Sequence, residues 1–233
     1  MNRTFFITGT GTDVGKTVVT RGIVRALADS GLSVVAQKPV ESGVPTVNGE
    51  RRPHDGTALL AASLANRTLA QTCRYLFTAP VSPHLAARLE HRTIDVNEIV
   101  SFVTAPHDEC DVRVVEGAGG LLVPVTDDTL YADVIAKVDC RLIIVAPDIL
   151  GTINATLLTI EAARSRKVDV AGVILNQSGD ESLKNAEAIA AFGGVPILGR
   201  FPKVTASDDA HLAEAARRTL DLSVFGLRSD AFV

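Results

Sequence analysis

Residues Gly9 to Thr17 read Gly-Thr-Gly-Thr-Asp-Val-Gly-Lys-Thr, directly after the apolar run Thr4 to Ile7 and directly before a segment of helical periodicity. A strand, a glycine-bearing turn and a helix in that order form a phosphate-binding unit. Successive backbone N–H groups of the turn converge on phosphate oxygens, Lys16 reaches the outer phosphates, and Thr17 offers its hydroxyl to Mg²⁺. The general pattern has four residues between its glycines. Here five separate Gly9 from Gly15, and Thr10 stands at the first-glycine position. The spacing departs by one residue while the physical content survives.

Short apolar runs recur at Phe5 to Thr8, Ser33 to Ala36, Val112 to Val115, Leu142 to Ala146, Val170 to Leu175 and Val195 to Leu198. Continuous runs of this length suit strands buried on both faces of a parallel sheet. Amphipathic stretches lie between them at Thr17 to Asp29, Asp133 to Val138, Thr152 to Arg166, Glu181 to Ala191 and Asp208 to Leu220. The alternation predicts an α/β fold of the P-loop NTPase type: a doubly wound, mostly parallel sheet with helices on both faces. Right-handed crossovers then gather the strand-to-helix turns along one edge, where ligands of open α/β sheets bind. The middle, Glu41 to about Ala105, is broken by Pro45, Pro53, Pro80 and Pro83 into loops and short helices, a long excursion of the kind that covers a site. No repeat or linker divides the 233 residues, so a single domain over 1–233 is expected.

Net charge is −4, and the basic residues are scattered, with adjacent pairs such as Arg51-Arg52 and Arg217-Arg218 but no longer run. No basic stripe tracks a phosphate backbone, so nucleic acid is not an expected partner. Cys73, Cys110 and Cys140 show no paired metal spacing and read as reduced, mostly buried thiols. The first strand begins almost at Met1, which leaves no room for a secretory leader. No apolar run reaches the ~18 residues of a membrane span. A cytoplasmic protein without a membrane partner is expected.

Polar residues just after strands hold the chemistry. Lys38, in Gln-Lys-Pro-Val-Glu-Ser-Gly at 37–43, stands at the same sheet edge as Lys16, and two ammonium groups beside one triphosphate suit a transferring phosphoryl group. Glu116 closes the run Val112 to Val115 and opens Glu-Gly-Ala-Gly-Gly, a carboxylate placed for Mg²⁺ before a turn that admits a nucleotide. Asp55 precedes a helical stretch and, from local sequence alone, reads as its N-cap. Leu150 to Asn154 either offers free N–H groups to a carboxylate or simply begins a helix. Asn176, after the run ending at Leu175, either presents its amide to an adenine edge or starts a turn. The five histidines show neither metal spacing nor a nucleophile partner.

Taken in order, Gly-Thr-Gly-Thr-Asp-Val-Gly-Lys-Thr, Lys-Pro-Val-Glu-Ser-Gly, the isolated Asp55, Val-Glu-Gly-Ala-Gly-Gly, Leu-Gly-Thr-Ile-Asn and Asn176 resemble dethiobiotin synthetase over nearly the whole chain. The resemblance includes the five-residue glycine spacing. It implies closure of a ureido ring on 7,8-diaminononanoate with CO₂ and ATP, with Mg²⁺ as cofactor. It implies that Thr12, Asp13, Val14, Gly15, Lys16, Thr17 and Val18 surround the phosphates, and that Thr17, Asp55 and Glu116 hold the Mg²⁺. Lys38 becomes the catalytic lysine beside Lys16, and Thr12 and Ser42 touch the diamine or its carbamate. Gly117, Ala118 and Gly119 line the nucleotide site, and Asn176, Gln177, Pro202, Lys203 and Val204 hold the adenine. Gly151, Thr152 and Asn154 receive the substrate carboxylate from the neighbouring subunit, which implies a homodimer. The competing expectation is a nucleotide-dependent dimeric switch of the partitioning ATPase type. Such switches usually carry an extra lysine early in the loop, where this chain has Gly11.

Overall fold

The computed structural model describes residues 3–106, 110–178, 184–204 and 208–227. β1 (Arg3–Gly9) leads through the glycine loop into α1 (Lys16–Asp29) and then β2 (Val34–Gln37). The irregular middle holds β3 (Val40–Glu41), β4 (Thr46–Val47), β5 (Glu50–Arg51), α2 (His54–Ala62), α3 (Leu69–Thr72), β6 (Tyr75–Leu76), α4 (Pro83–Leu89) and α5 (Val96–Thr104). Regular alternation resumes with β7 (Val112–Gly120), α6 (Tyr131–Ile135), β8 (Arg141–Pro147), α7 (Thr152–Arg164) and β9 (Asp169–Ser178). It ends with α8 (Asn185–Gly193), β10 (Ile197–Pro202) and α9 (Asp209–Thr219), before a 3₁₀ turn at Leu222–Phe225.

Six strands form one sheet in the order β10-β9-β8-β1-β7-β2, every neighbouring pair parallel. From β1 the chain crosses out to β2, returns to fill the gap with β7, and only then steps to the opposite side at β8. That reversal around β1 opens a crevice at the carboxyl ends of the strands, where ligands of such sheets bind. Alternation along the strands builds two cores. Phe5, Ile7, Val112, Val114, Ile143 and Val145 face α1, α2 and α9, whereas Phe6, Val115, Leu142, Ile144 and Ala146 face α4 to α8. Helix α1 buries Val19, Ile23, Val24 and Leu27 as one stripe, the helical spacing that the sequence shows. Truncating Leu27 to Ala in such a core costs about 2–5 kcal/mol. Among the described residues no helix is long and apolar enough to cross a membrane.

Several boundaries differ from those expected, for identifiable reasons. Strand β7 does not stop at Val115. It continues through the glycines to Gly120, pairing Glu116 with Ile7 and Gly120 with Gly9. Gly117 lies so close to the Phe6 ring that a Cβ would stand 3.1 Å from it, and the missing side chain lets the two strands run on together. Strand β9 likewise runs past Leu175, with Asn176 paired to Pro147 and to Phe201. Strand β10 begins only after Pro196, which has no N–H to give the ladder, and Gly199 and Arg200 hide its continuation to Pro202. Helix α6 starts earlier than Asp133 because the Asp133 carboxylate accepts the Leu130 N–H at 2.9 Å and so closes the first turn from within. Of the expected Glu181 to Ala191 helix, residues 181–183 lie outside the described residues.

Candidate active site

The loop from Thr10 to Gly15 folds back on itself before α1. Gly15 sits at φ +88°, a left-handed conformation that favours glycine, and a Cβ there would lie 1.9 Å from Asn176 Nδ2. Asn176 Nδ2 donates to the Val14 carbonyl at 2.9 Å, so the end of β9 braces the loop from below. Helix α1 begins with no side-chain cap and no acidic residue in its first turn, which leaves its N–H groups and positive dipole end for an anion. Lys16 Nζ donates to the Gly11 carbonyl at 3.1 Å across the loop. Burial pushes the Lys16 ammonium below the usual lysine value. Lys38 adds to that effect, and Glu116 and Asp55 oppose it.

Lys38 leaves β2 and meets two carboxylates. Its Nζ lies 2.6 Å from Glu116 Oε1 and 2.6 Å from Asp55 Oδ2, and its own N–H is fixed to the Thr72 carbonyl at 2.8 Å. Thr17 Oγ1 donates to the same Glu116 Oε1 at 2.7 Å. Burial alone would lower Lys38; the two carboxylates outweigh it and hold the ammonium above the usual lysine value. Burial alone would raise Asp55, and the Lys38 ammonium with the Thr17 hydroxyl holds it below the usual carboxylate range instead. Asp55 is not the N-cap of α2. That position belongs to Pro53, and Asp55 is the second helical residue, its side chain turned toward Lys38.

Asp55 and Glu116 thus converge on one cation, here an ammonium, with the Thr17 hydroxyl on the shared Glu116 oxygen. Glu116 is 0% exposed, and its Oε2 is buried without a hydrogen-bond partner. A fully buried carboxylate with a spare oxygen suits a divalent ion, so the residues fit Mg²⁺. Among the described residues no three His, Cys, Asp or Glu side chains gather as a protein-only cage. Two carboxylates and a hydroxyl match instead the way Mg²⁺ keeps water and phosphate oxygens in its shell.

Glu41 is a residue that the sequence reading left without a role. It is buried, and its carboxylate accepts three N–H groups from the start of α2: His54 at 2.8 Å and Asp55 at 3.1 Å on Oε1, and Gly56 at 2.8 Å on Oε2. Burial raises the Glu41 carboxyl, against the Gly56 N–H, which favours the charged form. The available signal was negative: Pro53 precedes α2 where a Ser, Thr or Asp would cap it locally, so a cap had to come from elsewhere.

A cleft of about 460 Å³ is lined by Thr12, Asp13, Gly15, Lys16, Thr17, Val18, Lys38, Glu41, Ser42, Asp55, Ala118, Gly119 and Gln177. Val14, Glu116, Gly117 and Asn176 are buried behind it. Gln177 follows Asn176 at φ +60°. Pro202 ends β10 beside Ser178 at the same sheet edge, with Lys203 exposed and Val204 half-buried against the α1 core. These three do not line the cleft itself. Gly151 caps α7 in a left-handed conformation, and the buried Thr152 Oγ1 has no hydrogen-bond partner. Asn154 lines a second cleft of about 400 Å³ with Gly11, Thr12, Leu122 and Leu158. Thr12 borders both clefts, so the two adjoin at the phosphate loop.

A family model described as an AAA domain matches residues 3–211. The ATP-dependent dethiobiotin synthetase BioD of Bacillus subtilis (strain 168) is 39% identical over 210 residues, covering 87% of this chain and 88% of its own. That of Anaeromyxobacter sp. (strain Fw109-5) is 43% identical over 220 residues, 93% of each chain. Among solved structures, the septum site-determining protein MinD of Pyrococcus horikoshii OT3, complexed with Mg-ADP, superposes with a TM-score of 0.57 at 16% identity, covering 94% of this chain and 96% of that one. A ParA family ATPase from Chlorobium tepidum TLS gives 0.54 at 16%, covering 95% and 91%. At that identity the structural likeness speaks for a shared P-loop fold, whereas the identity to the synthetases runs along almost the whole length, and on that ground the chain belongs to the family of ATP-dependent dethiobiotin synthetases.

Proposed function

We propose that the protein closes a ureido ring on 7,8-diaminononanoate, consuming CO₂ and ATP and releasing dethiobiotin, ADP and phosphate. One amine adds to CO₂ and loses a proton, forming the N–C bond of a carbamate. A carbamate oxygen attacks the γ-phosphorus in line while the bond to the bridging oxygen breaks and ADP leaves. The second amine adds to the carbon of the resulting carbamic-phosphoric anhydride, and phosphate departs as the ring closes. Phosphoryl transfer of this kind needs positioning and charge neutralisation more than an enzyme nucleophile. Lys16 and the α1 N-terminus hold the phosphates, Lys38 meets the charge that develops on the transferring group, and Thr12 and Ser42 face the diamine or its carbamate. Thr17, Asp55 and Glu116 are the residues that would hold Mg²⁺, whose contribution when bound is to neutralise phosphate charge. Asn176, Gln177, Pro202, Lys203 and Val204 form the adenine side, and Gly117, Ala118 and Gly119 the opposite wall.

The observation that supports this reading best is the Lys38 ammonium held between Glu116 and Asp55 in the same cleft as Lys16. A homodimer is part of the proposal. Leu122, Ile149, Leu150 and Leu158 are all exposed, Leu150 to 93%, and Leu122 and Leu158 share the second cleft with Asn154. Covering this apolar surface with a second copy would bring Gly151, Thr152 and Asn154 to the partner's substrate carboxylate. Mass-spectrometric detection of dethiobiotin from the diamine, bicarbonate, ATP and Mg²⁺ tests the reading, and its absence with active substrates would refute it.

A further inference from the structure

Glu41 and Lys38 lie three residues apart on one stretch of chain and grip Asp55 from two sides. Lys38 holds its carboxylate, at 2.6 Å. Glu41 holds its backbone, together with the residues on either side of it. Glu41 is itself fixed, because its carbonyl accepts the Phe77 N–H at 2.9 Å and the preceding Val40 is buried in the core beyond the sheet. Helix α2 has no side-chain cap of its own, so the Glu41 carboxylate serves three of the N–H groups that a helix start leaves open, and its charge lies at the positive end of the dipole. At 5% exposure, little water reaches this contact to replace it.

We propose that Glu41 is a positioning residue for the cation site: by locking the first turn of α2 it fixes where Asp55 presents its carboxylate. The proposal rests on the reading of Asp55 as a Mg²⁺ ligand. Groups that orient a metal ligand typically set affinity by ~10–100-fold although they never touch the ion. The phosphate loop stands on β1, α1 and the Asn176 brace, and the Glu41 carboxylate is bonded to the α2 amides and not to the loop, so nucleotide binding without metal is expected to hold. Loss of Glu41 therefore separates two quantities that a merely destabilised protein would lose together.

The test is calorimetric titration of the full-length protein with ADP, once in EDTA and once in excess Mg²⁺, for wild type, Asp55→Asn, Glu41→Ala and Glu41→Gln. Wild type gains affinity with Mg²⁺, and Asp55→Asn loses the gain. Glu41→Ala loses ~10-fold of it with ADP affinity in EDTA unchanged. Glu41→Gln, which keeps the length and one acceptor oxygen, falls between. Hydrogen exchange of the His54, Asp55 and Gly56 amides speeds up in Glu41→Ala while the interior of α1 stays protected. When Asp55→Asn has lost the Mg²⁺ gain, a folded Glu41 variant that retains it overturns the proposal; Glu41→Gln decides alone if Glu41→Ala does not fold. When Asp55→Asn retains the gain, the metal assignment has failed, and unaltered protection of the three amides in Glu41→Ala overturns the proposal.

Discussion

Lys38 Nζ and Glu116 Oε1 stand 2.6 Å apart, one register step beyond the Gln37–Val115 pair of the parallel strands β2 and β7. The topology itself makes the contact, since neighbouring parallel strands bring residues at matching register to one face. Removing the ammonium should lower turnover by ~10²-fold to 10³-fold, the loss expected for one preorganised charge donor. ADP binding, which rests on the loop and Lys16, should change only a few-fold. Steady-state phosphate release and ADP calorimetry on Lys38→Ala measure the two, and near-normal turnover would take Lys38 out of the mechanism.

Gly15 tests the loop. Alanine at φ +88° meets left-handed strain, and its methyl group would sit 1.9 Å from Asn176 Nδ2, which must then release the Val14 carbonyl. Gly15→Ala should destabilise the fold by at least about 2 kcal/mol and abolish ADP binding. Urea unfolding and calorimetry check it. A variant with wild-type stability and affinity would show that the loop has another resting shape.

The exposed leucines test the assembly. Leu158 is 62% exposed on α7 and borders the cleft that holds Asn154. Leu158→Arg should convert a wild-type dimer into monomer in sedimentation velocity, with turnover falling alongside. An unchanged sedimentation coefficient would place the interface elsewhere.

Cys73, beside Glu41 and Gly56, gives an alkaline signature. Burial pushes its thiol up to about 12 from an ordinary value near 9. The folded protein then keeps a proton that the unfolded chain releases, so stability falls as pH rises above 9, by about 1 kcal/mol at pH 10 from this group. Lys38 acts in the same sense only at higher pH, because its stabilisation is complete below the unfolded lysine value. Urea midpoints at pH 8 and pH 10 should show the loss, smaller in Cys73→Ala. Equal pH slopes in the two proteins would contradict a buried, protonated thiol.

Much of this architecture is legible before any coordinates. The phosphate loop is local, and a sheet buried on both faces writes itself as apolar runs separated by helical stripes. Lys38 and Glu116 follow from the rule that ligands gather at strand ends. What escaped is non-local or carried by glycine. The run of β7 through Gly117 to Gly120 shows no apolar residue but one alanine, and only the Phe6 ring on the neighbouring strand explains it. Asp55 looks like a cap because its true partner is Lys38, in a segment 17 residues away. Glu41 caps a helix from 13 residues upstream, across the two-residue strands β4 and β5, which no local pattern announces.

Phosphate release from ATP, followed as each substrate is withheld in turn, tests the central claim most directly. With 7,8-diaminononanoate, bicarbonate and Mg²⁺ present, phosphate and dethiobiotin should appear in equal amounts, and leaving out the diamine should stop both. ATP turnover that continues unchanged without the diamine would contradict the account and point to a nucleotide switch on the same fold.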